Sequence, residues 1–445
     1  MSIFKACDIR GTYGKDLTAD DAFNIGRAFG TMIEGRSVAV GGDVRLSTPA
    51  LKRELMKGLS MSGCKVIDIG TLPTPAFYYA KRRLDTYAGV MVTASHNPAR
   101  YNGFKIAFGT LPVQEKDIEY LEKLTKSKDY KPGYGSIENN PMLEEYRKYI
   151  RSLFKPISGN FKVVIDAGNG VCGPVALRLF SELGYETVPL FCEPDGNFPN
   201  REPNPAIAEN LEHLRNMVIE TKADLGIAFD GDGDRVAFVD EKGHILSSER
   251  GIIIFAKHLF EKYGPGKVVY DHKCSTIVEK EILKAGGTAI REKSGHAFIK
   301  RNFLMQNAVM AGEISGHYFF KELAGDDGIY AALLMGEILN TKGVKLSLLS
   351  SQIPDYYITP DIRIPYPYDD KGELLKSVKE RFKEYPIDTL DGVRVIFPKG
   401  WGLIRISVTE PMITMRFEGD TPEALASIKE EFMGAVPKIK ALVKD

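Results

Sequence analysis

Apolar residues fall along the chain in short β-branched runs that alternate with helical stripes, and the alternation occurs three times. Residues 37–43 (SVAVGGD), 161–166 (FKVVID) and 266–271 (GKVVYD) each read as a buried strand that runs into an aspartate. An amphipathic stretch follows each of them and stops at Gly63, Gly184 or Gly286, where a helix is expected to end. Then come a second strand (65–69, 185–190, 288–291), more helical pattern, and a third apolar strand (88–92, 224–229, 308–311). Such alternation predicts largely parallel sheets covered by helices, because parallel neighbours need crossover connections. One large decorated sheet is the competing arrangement.

Beyond Pro354 the pattern changes. Helical stretches at 372–385 and 422–433 enclose short strands at 393–397, 402–407 and 413–417, which predicts a smaller α+β unit. The proline-rich residues 360–367 are expected to be the linker to it. The predicted fold class is therefore α/β: three similar α/β domains with mixed, largely parallel sheets (1–150, 151–250 and 251–355) and a C-terminal α+β domain (356–445).

Composition narrows the function. At about 150 residues per domain, 445 residues suggest roughly three domains, one fewer than the pattern requires. The 59 basic and 59 acidic side chains cancel, which gives no long-range pull toward nucleic acid or an anionic membrane, so neither is expected as a partner. Cys7, Cys64, Cys172, Cys192 and Cys274 are scattered without CxxC spacing, so neither a disulfide framework nor a zinc site is indicated and a reducing, cytoplasmic setting is expected. No run approaches the ~18 apolar residues of a membrane span, and the N-terminus meets charge too early for a signal peptide.

Chemistry gathers after the third strand of each repeat: TASHNP at 93–98, DGDGDR at 230–235 and GEISGH at 312–317. Ligands of open α/β sheets bind outside the carboxyl ends of strands, so three equivalent loops can converge on one cleft. In the second loop, Asp230, Asp232 and Asp234 alternate with glycines that let the backbone curl, and three such carboxylates suit a hard cation such as Mg²⁺. An EF-hand is the rival reading, but its sixth position requires glycine and here holds Arg235. In the first loop Ser95, beside His96, is exposed by the Asn97-Pro98 turn, as an acyl nucleophile or a phosphoryl carrier. The G-x-S-x-G elbow of acyl hydrolases is absent. In the third loop Glu313, Ser315 and His317 share one face of an extended backbone and suit sugar hydroxyls, although a lone histidine is more often structural.

Together with RISVTEP at 405–411, these loops, in this order and spacing, resemble the α-D-phosphohexomutase family over essentially the whole chain. The resemblance implies four domains around a central cleft. It implies that Ser95 carries the phosphoryl group, that Asp230, Asp232 and Asp234 hold Mg²⁺ against it, and that Glu313 and Ser315 contact the sugar. Arg405, Ser407, Val408 and Thr409 would then hold the phosphate that is not reacting. By the same resemblance, the N-terminal DIRG at 8–11 would bring Arg10 to the reacting oxygen, and YNGFK at 101–105 would bring Lys105 beside the serine loop. Lys273, Gly295, His296 and Arg235 fall where the family places phosphosugar contacts.

The implied reaction interconverts hexose 1-phosphate and hexose 6-phosphate, of mannose or glucose, through a hexose 1,6-bisphosphate. Arg10, Lys105 and Mg²⁺ would stabilise the transferring group, and the general base is expected among His317, Lys105 and their neighbours, with the histidine favoured by its ordinary pKa. Phosphoglucosamine mutase, a non-catalytic phosphosugar binder and a general phosphatase are the alternatives; a monomer or homodimer is expected. Cys7, where an aromatic is usual, and Val408, where glycine or asparagine is usual, depart from the family pattern.

Overall fold

The computed structural model describes residues 2–445 apart from 367, 369, 408–411, 437, 438 and 440–445. The three repeats have one topology. In each, the first strand (Val38–Gly42, Lys162–Asp166, Lys267–Asp271) is flanked in parallel by the second (Lys65–Thr71, Glu186–Leu190, Thr288–Glu292) and the third (Ala88–Val92, Leu225–Phe229, Met310–Gly312). Apart from Lys162 and Lys267 at their starts, the central strands are buried, as strands covered by helices on both faces must be.

The repeat carries one element beyond the predicted pattern. Each third strand turns back into an antiparallel neighbour: Tyr101–Phe108, Val236–Asp240 and Tyr318–Phe320. The polar loops at 93, 230 and 312 are thus the same hairpin connection used three times. Further antiparallel strands, Ile9–Thr12, Ile245–Leu246 and Gly325–Asp326, extend the sheets on that side.

The fourth sheet is antiparallel throughout and is covered by the helix Pro422–Gly434, whose N-cap Thr421 accepts from Ala424 N–H. The proline-rich stretch corrects one expectation: Ile362–Pro365 is no linker but a strand paired with Met412–Gly419. Its proline is the terminal residue of a strand with a single neighbour, where a missing N–H costs no ladder bond.

Apolar packing ties three units together and leaves the fourth apart. One cluster runs from Ala39 and Phe77 through Phe180 and Phe229 to Phe255 and Phe320, across all three repeated sheets. The fourth unit has its own cluster, including Ile364, Val395, Phe417 and Phe432. No described helix is long and apolar enough to cross a membrane.

Candidate active site

The three hairpin loops meet at the floor of a cleft of about 1350 Å³ whose far wall is the fourth sheet. Backbone bonds stitch them. Thr74 N–H donates to Asp232 C=O (2.8 Å), and Val236 N–H donates to Gly316 C=O (3.0 Å). The glycines between the aspartates have steric reasons: a Cβ at Gly231 would stand 2.6 Å from Ser95 O, and one at Gly233, whose φ is +77°, 2.1 Å from Cys172 Sγ.

Ser95, expected to be exposed by the Asn97-Pro98 turn, is instead buried with φ +49°, and its Oγ donates to Asp230 Oδ2 at 2.7 Å. Asp230, Asp232 and Asp234 are fully buried, and their carboxylate oxygens lie within 4.8 Å of one another. Burial and the two neighbouring aspartates hold the Asp230 carboxyl well above the usual range. Burial also works against ionisation of Asp232, but Lys105 and Thr74 overcome it and hold that carboxyl below its usual range. Lys105 Nζ donates to Asp232 Oδ2 at 2.8 Å and also to Asp234 Oδ2. Burial alone would lower the Lys105 ammonium; the two carboxylates reverse this and push it well up.

The donor set fits a divalent cation. Among the described residues, Oδ1 of both Asp232 and Asp234 is buried without a hydrogen-bond partner, and three carboxylates plus a serine oxygen are the hard ligands that Mg²⁺ selects. These residues could hold the ion.

The histidines are differently placed. His96 Nδ1 lies 3.4 Å from Ser95 Oγ; burial, with Arg235, Arg10 and Lys105 nearby, pushes its pKa far down and keeps it neutral. His317 has both ring nitrogens engaged: Nδ1 lies 3.0 Å from Asp326 Oδ2, and Nε2 accepts from Arg235 Nε at 3.0 Å. Neither nitrogen is left to take a substrate proton, and Lys105 is held charged. His317 thus bridges Asp326 and Arg235, and Lys105 pairs with Asp232 and Asp234. His296 Nε2 contacts both Asp326 oxygens at 2.9 Å.

The sugar-contact candidates line the middle of the cleft, including Gly295. Burial and nearby Asp271 raise the Glu313 carboxyl to about 8; its Oε1 has no partner, and Oε2 accepts from Ser315 Oγ at 3.3 Å. On the far wall Arg405 Nε donates to Asp391 (2.6 Å), and Lys273 Nζ of the third unit donates to Asp361 of that wall (3.0 Å). Ser407 lines the same wall, while Val408 and Thr409 lie outside the described residues. Arg10 Nη2 donates to Asp8 at 2.6 Å and Nη1 to Asn97, so it borders the serine loop. Burial raises the Cys7 thiol to about 12 at the cleft's edge.

Sequence reasoning passed over the residues that hold these groups: Arg45 and Thr93 behind Ser95, Asp326 between the histidines, and Asp361 and Asp391 opposite the two cations. The Asp326-Asp327 pair before a helical pattern, with Asp327 capping the helix Gly328–Lys342, was the one available signal.

The same four units are found in known proteins. Four profiles match in chain order: Phosphoglucomutase/phosphomannomutase, alpha/beta/alpha domain I at residues 1–131, domain II at 144–243, domain III at 247–357, and the C-terminal domain at 362–435. The chain belongs to the phosphoglucomutase/phosphomannomutase family. It is 43% identical to a phosphomannomutase/phosphoglucomutase of Pseudomonas aeruginosa over 441 residues, covering 97% of this chain and 94% of that one. It is 38% identical to a phosphoglucomutase of Neisseria gonorrhoeae, covering 98% and 96%. The crystal structure of a phosphoglucomutase/phosphomannomutase family protein from Burkholderia thailandensis superposes with a TM-score of 0.91 at 38% identity, covering 100% of this chain and 98% of that one.

Proposed function

We propose that the protein is a phosphohexomutase that interconverts the 1- and 6-phosphates of glucose and mannose through a phosphoserine at Ser95 and a bound hexose 1,6-bisphosphate. The observation that carries this reading is the pairing of two sites in one cleft: a serine hydrogen-bonded to one of three clustered carboxylates on the floor and a guanidinium, Arg405, on the facing wall. A phosphatase needs only the first.

In the first half-reaction the sugar's free hydroxyl oxygen bonds to phosphorus while the Ser95 Oγ–P bond breaks; the hydroxyl proton passes to a base, and the departing Ser95 Oγ takes up a proton in return. After the bisphosphate turns over in the cleft, Ser95 Oγ attacks the other phosphoryl group and the first step runs in reverse. When Ser95 attacks, its proton has two acceptors in reach, Asp230 Oδ2 at 2.7 Å and the neutral His96 Nδ1 at 3.4 Å. Mg²⁺ held by Asp230, Asp232, Asp234 and Ser95 would neutralise charge on the transferring group, and the chain's own Lys105 and Arg10 border the same position. Glu313 and Ser315 offer hydrogen bonds to sugar hydroxyls, which would satisfy the unpartnered Glu313 Oε1. Arg405 and Lys273 exchange Asp391 and Asp361 for the non-reacting phosphate, a group common to both monophosphates.

The test is a panel of glucose, mannose and glucosamine phosphates with Mg²⁺ and catalytic hexose 1,6-bisphosphate. Glucose 1-phosphate and mannose 1-phosphate should isomerise in the wild type, and Ser95→Ala should lose nearly all turnover while remaining folded. Undiminished turnover in that variant would exclude the serine carrier, and conversion of glucosamine phosphate alone would shift the substrate.

A further inference from the structure

The aspartates that end the first strands, Asp43, Asp166 and Asp271, have no part in the reaction as described, yet each is buried at the foot of a functional loop. In the first unit Asp43 accepts from Arg45 Nε (3.1 Å), Arg45 N (3.0 Å), Thr48 Oγ1 (2.7 Å) and Thr93 Oγ1 (2.8 Å). Arg45, only 1% exposed, spends its remaining donors on the backbone of the serine loop. Nη2 donates to the carbonyls of Ser95 and Asn97 at 2.7 Å each, and Nη1 to those of Pro98 (2.8 Å) and Tyr101 (3.0 Å). The guanidinium also lies 5.0 Å from the ring of Phe198, which belongs to the second unit.

This concentration of charged donors has a specific task to perform. Ser95 sits at φ +49°, a left-handed conformation that costs a non-glycine residue energy and persists only where its surroundings impose it. Both ends of its backbone are imposed: its carbonyl by Arg45, and its N–H by Thr93 Oγ1 at 2.9 Å. Thr93 Oγ1 also stands 3.1 Å from Asp232 Oδ2, so the unit that sets the serine's backbone touches the carboxylate loop as well. The second unit repeats the device: Arg201 pairs with Asp166 (2.8 Å) and donates to the carbonyl of Phe229 (2.8 Å), the residue before Asp230.

We propose that Arg45, braced by Asp43, is a positioning residue for phosphoryl transfer: it holds Ser95 in the left-handed conformation that aims Oγ at the Asp230 loop. It touches only backbone atoms of the loop, so its grip does not depend on whether Oγ carries a phosphoryl group. The inference rests on Ser95 being the carrier.

Arg45→Lys keeps the charge beside Asp43 but cannot reach four carbonyls. Its kcat should fall about 100-fold, the scale of a displacement of about 1 Å at a reacting atom, while KM for glucose 1-phosphate stays within about threefold. Arg147→Lys is the control, a buried arginine paired with Glu144 and Glu182 away from the cleft; it should lose thermal stability with kcat retained. If Arg45→Lys does not fold, Asp43→Asn, which removes only the brace, should show the same split between kcat and KM. A fall in Tm with kcat unchanged in the folded Arg45 or Asp43 variant would overturn the proposal. Full turnover in Ser95→Ala would instead remove the reading beneath it, so the two failures are separable.

Discussion

The three repeated units and the fourth are joined to the molecule by different physics. Between the second and third units, Phe255 packs edge-on against Tyr318 and Phe320 of one sheet and Phe238 of the other, within an apolar cluster that has no boundary between them. The fourth unit meets the third through polar groups. Arg416 lies 2.8 Å from Glu249 and donates to Lys273 C=O, Arg394 donates to His272 C=O, Ser294 N–H donates to Asp391, and Arg291 pairs with Asp388. Shared apolar packing resists sliding because interiors are close-packed. Polar contacts, by contrast, can exchange for ligand groups at little net cost.

The sharpest test of this difference deletes an aromatic from each core. Phe255→Ala should cost about 3–5 kcal/mol and shift the main unfolding transition, whereas Phe432→Ala, inside the fourth cluster, should lower that unit's transition by a similar amount and leave the other in place. Trp401, the single tryptophan, is buried in the fourth sheet, so its fluorescence in urea reports that unit while circular dichroism reports the whole. Coincident midpoints in Phe432→Ala would show one cooperative body. Next in size, Arg405→Ala removes a charged donor from the facing wall and should raise KM for glucose 1-phosphate about 10–100-fold, the range for hydrogen bonds to charged groups. An unchanged KM would place the phosphate grip elsewhere.

What could be read from the chain divides along a similar line. The three-strand units were legible because a buried parallel strand needs an unbroken apolar run, and 163–165 or 268–270 supply one. The antiparallel returns were not. Tyr101–Phe108 alternates weakly and follows a polar loop lacking the two-residue turn that announces a hairpin. Residues 360–367 misled because prolines suggest a linker, while the strand pairing of Ile362–Pro365 is decided by Met412–Gly419, some fifty residues away. The site shows the same split. Ser95 and the aspartates at 230, 232 and 234 stand out by composition and by place after a strand, whereas Arg45, Asp326 and Asp391 act on groups brought near only by folding. His317 stood out by its place in the third loop, but its two partners, Asp326 and Arg235, come from separate segments.

A pH experiment probes the polar joint. His272 is fully buried in the third unit against the fourth; burial, then Arg394, lower its pKa to about 4, with Arg291 acting in the same sense and Asp388 and Asp391 opposing. Between about 4 and the ordinary 6.5 the unfolded chain binds a proton that the folded chain does not, so stability rises with pH across this window and is lost on acidification. The slope should approach one proton, about 1.4 kcal/mol per pH unit, and appear first in Trp401 fluorescence. His272→Gln should flatten it. A wild-type profile flat from pH 6.5 to 4.5 would show that water or movement already relieves the buried ring.

The smallest expected effect lies on the cleft face of the fourth sheet. Thr414 pairs in register with Arg405 on one side and Arg363 on the other, which puts the three side chains on one face. Thr414 is buried, and among the described residues its hydroxyl has no hydrogen-bond partner, so folding strips water from a polar group and returns nothing. Thr414→Val replaces that hydroxyl with a methyl of the same shape and keeps the β-branched residue a strand favours. Removing an unpaired buried hydroxyl should therefore stabilise the fourth unit by about 1 kcal/mol, which raises the Tm of a unit this size by roughly 4–8 °C. Because the fourth unit carries its own core, the gain should appear in the Trp401 transition and leave that of the three fused units where it was. A lower Tm would mean that the hydroxyl is satisfied in solution, and an equal rise in both transitions would mean that the polar joint couples the fourth unit as tightly as apolar packing couples the other three.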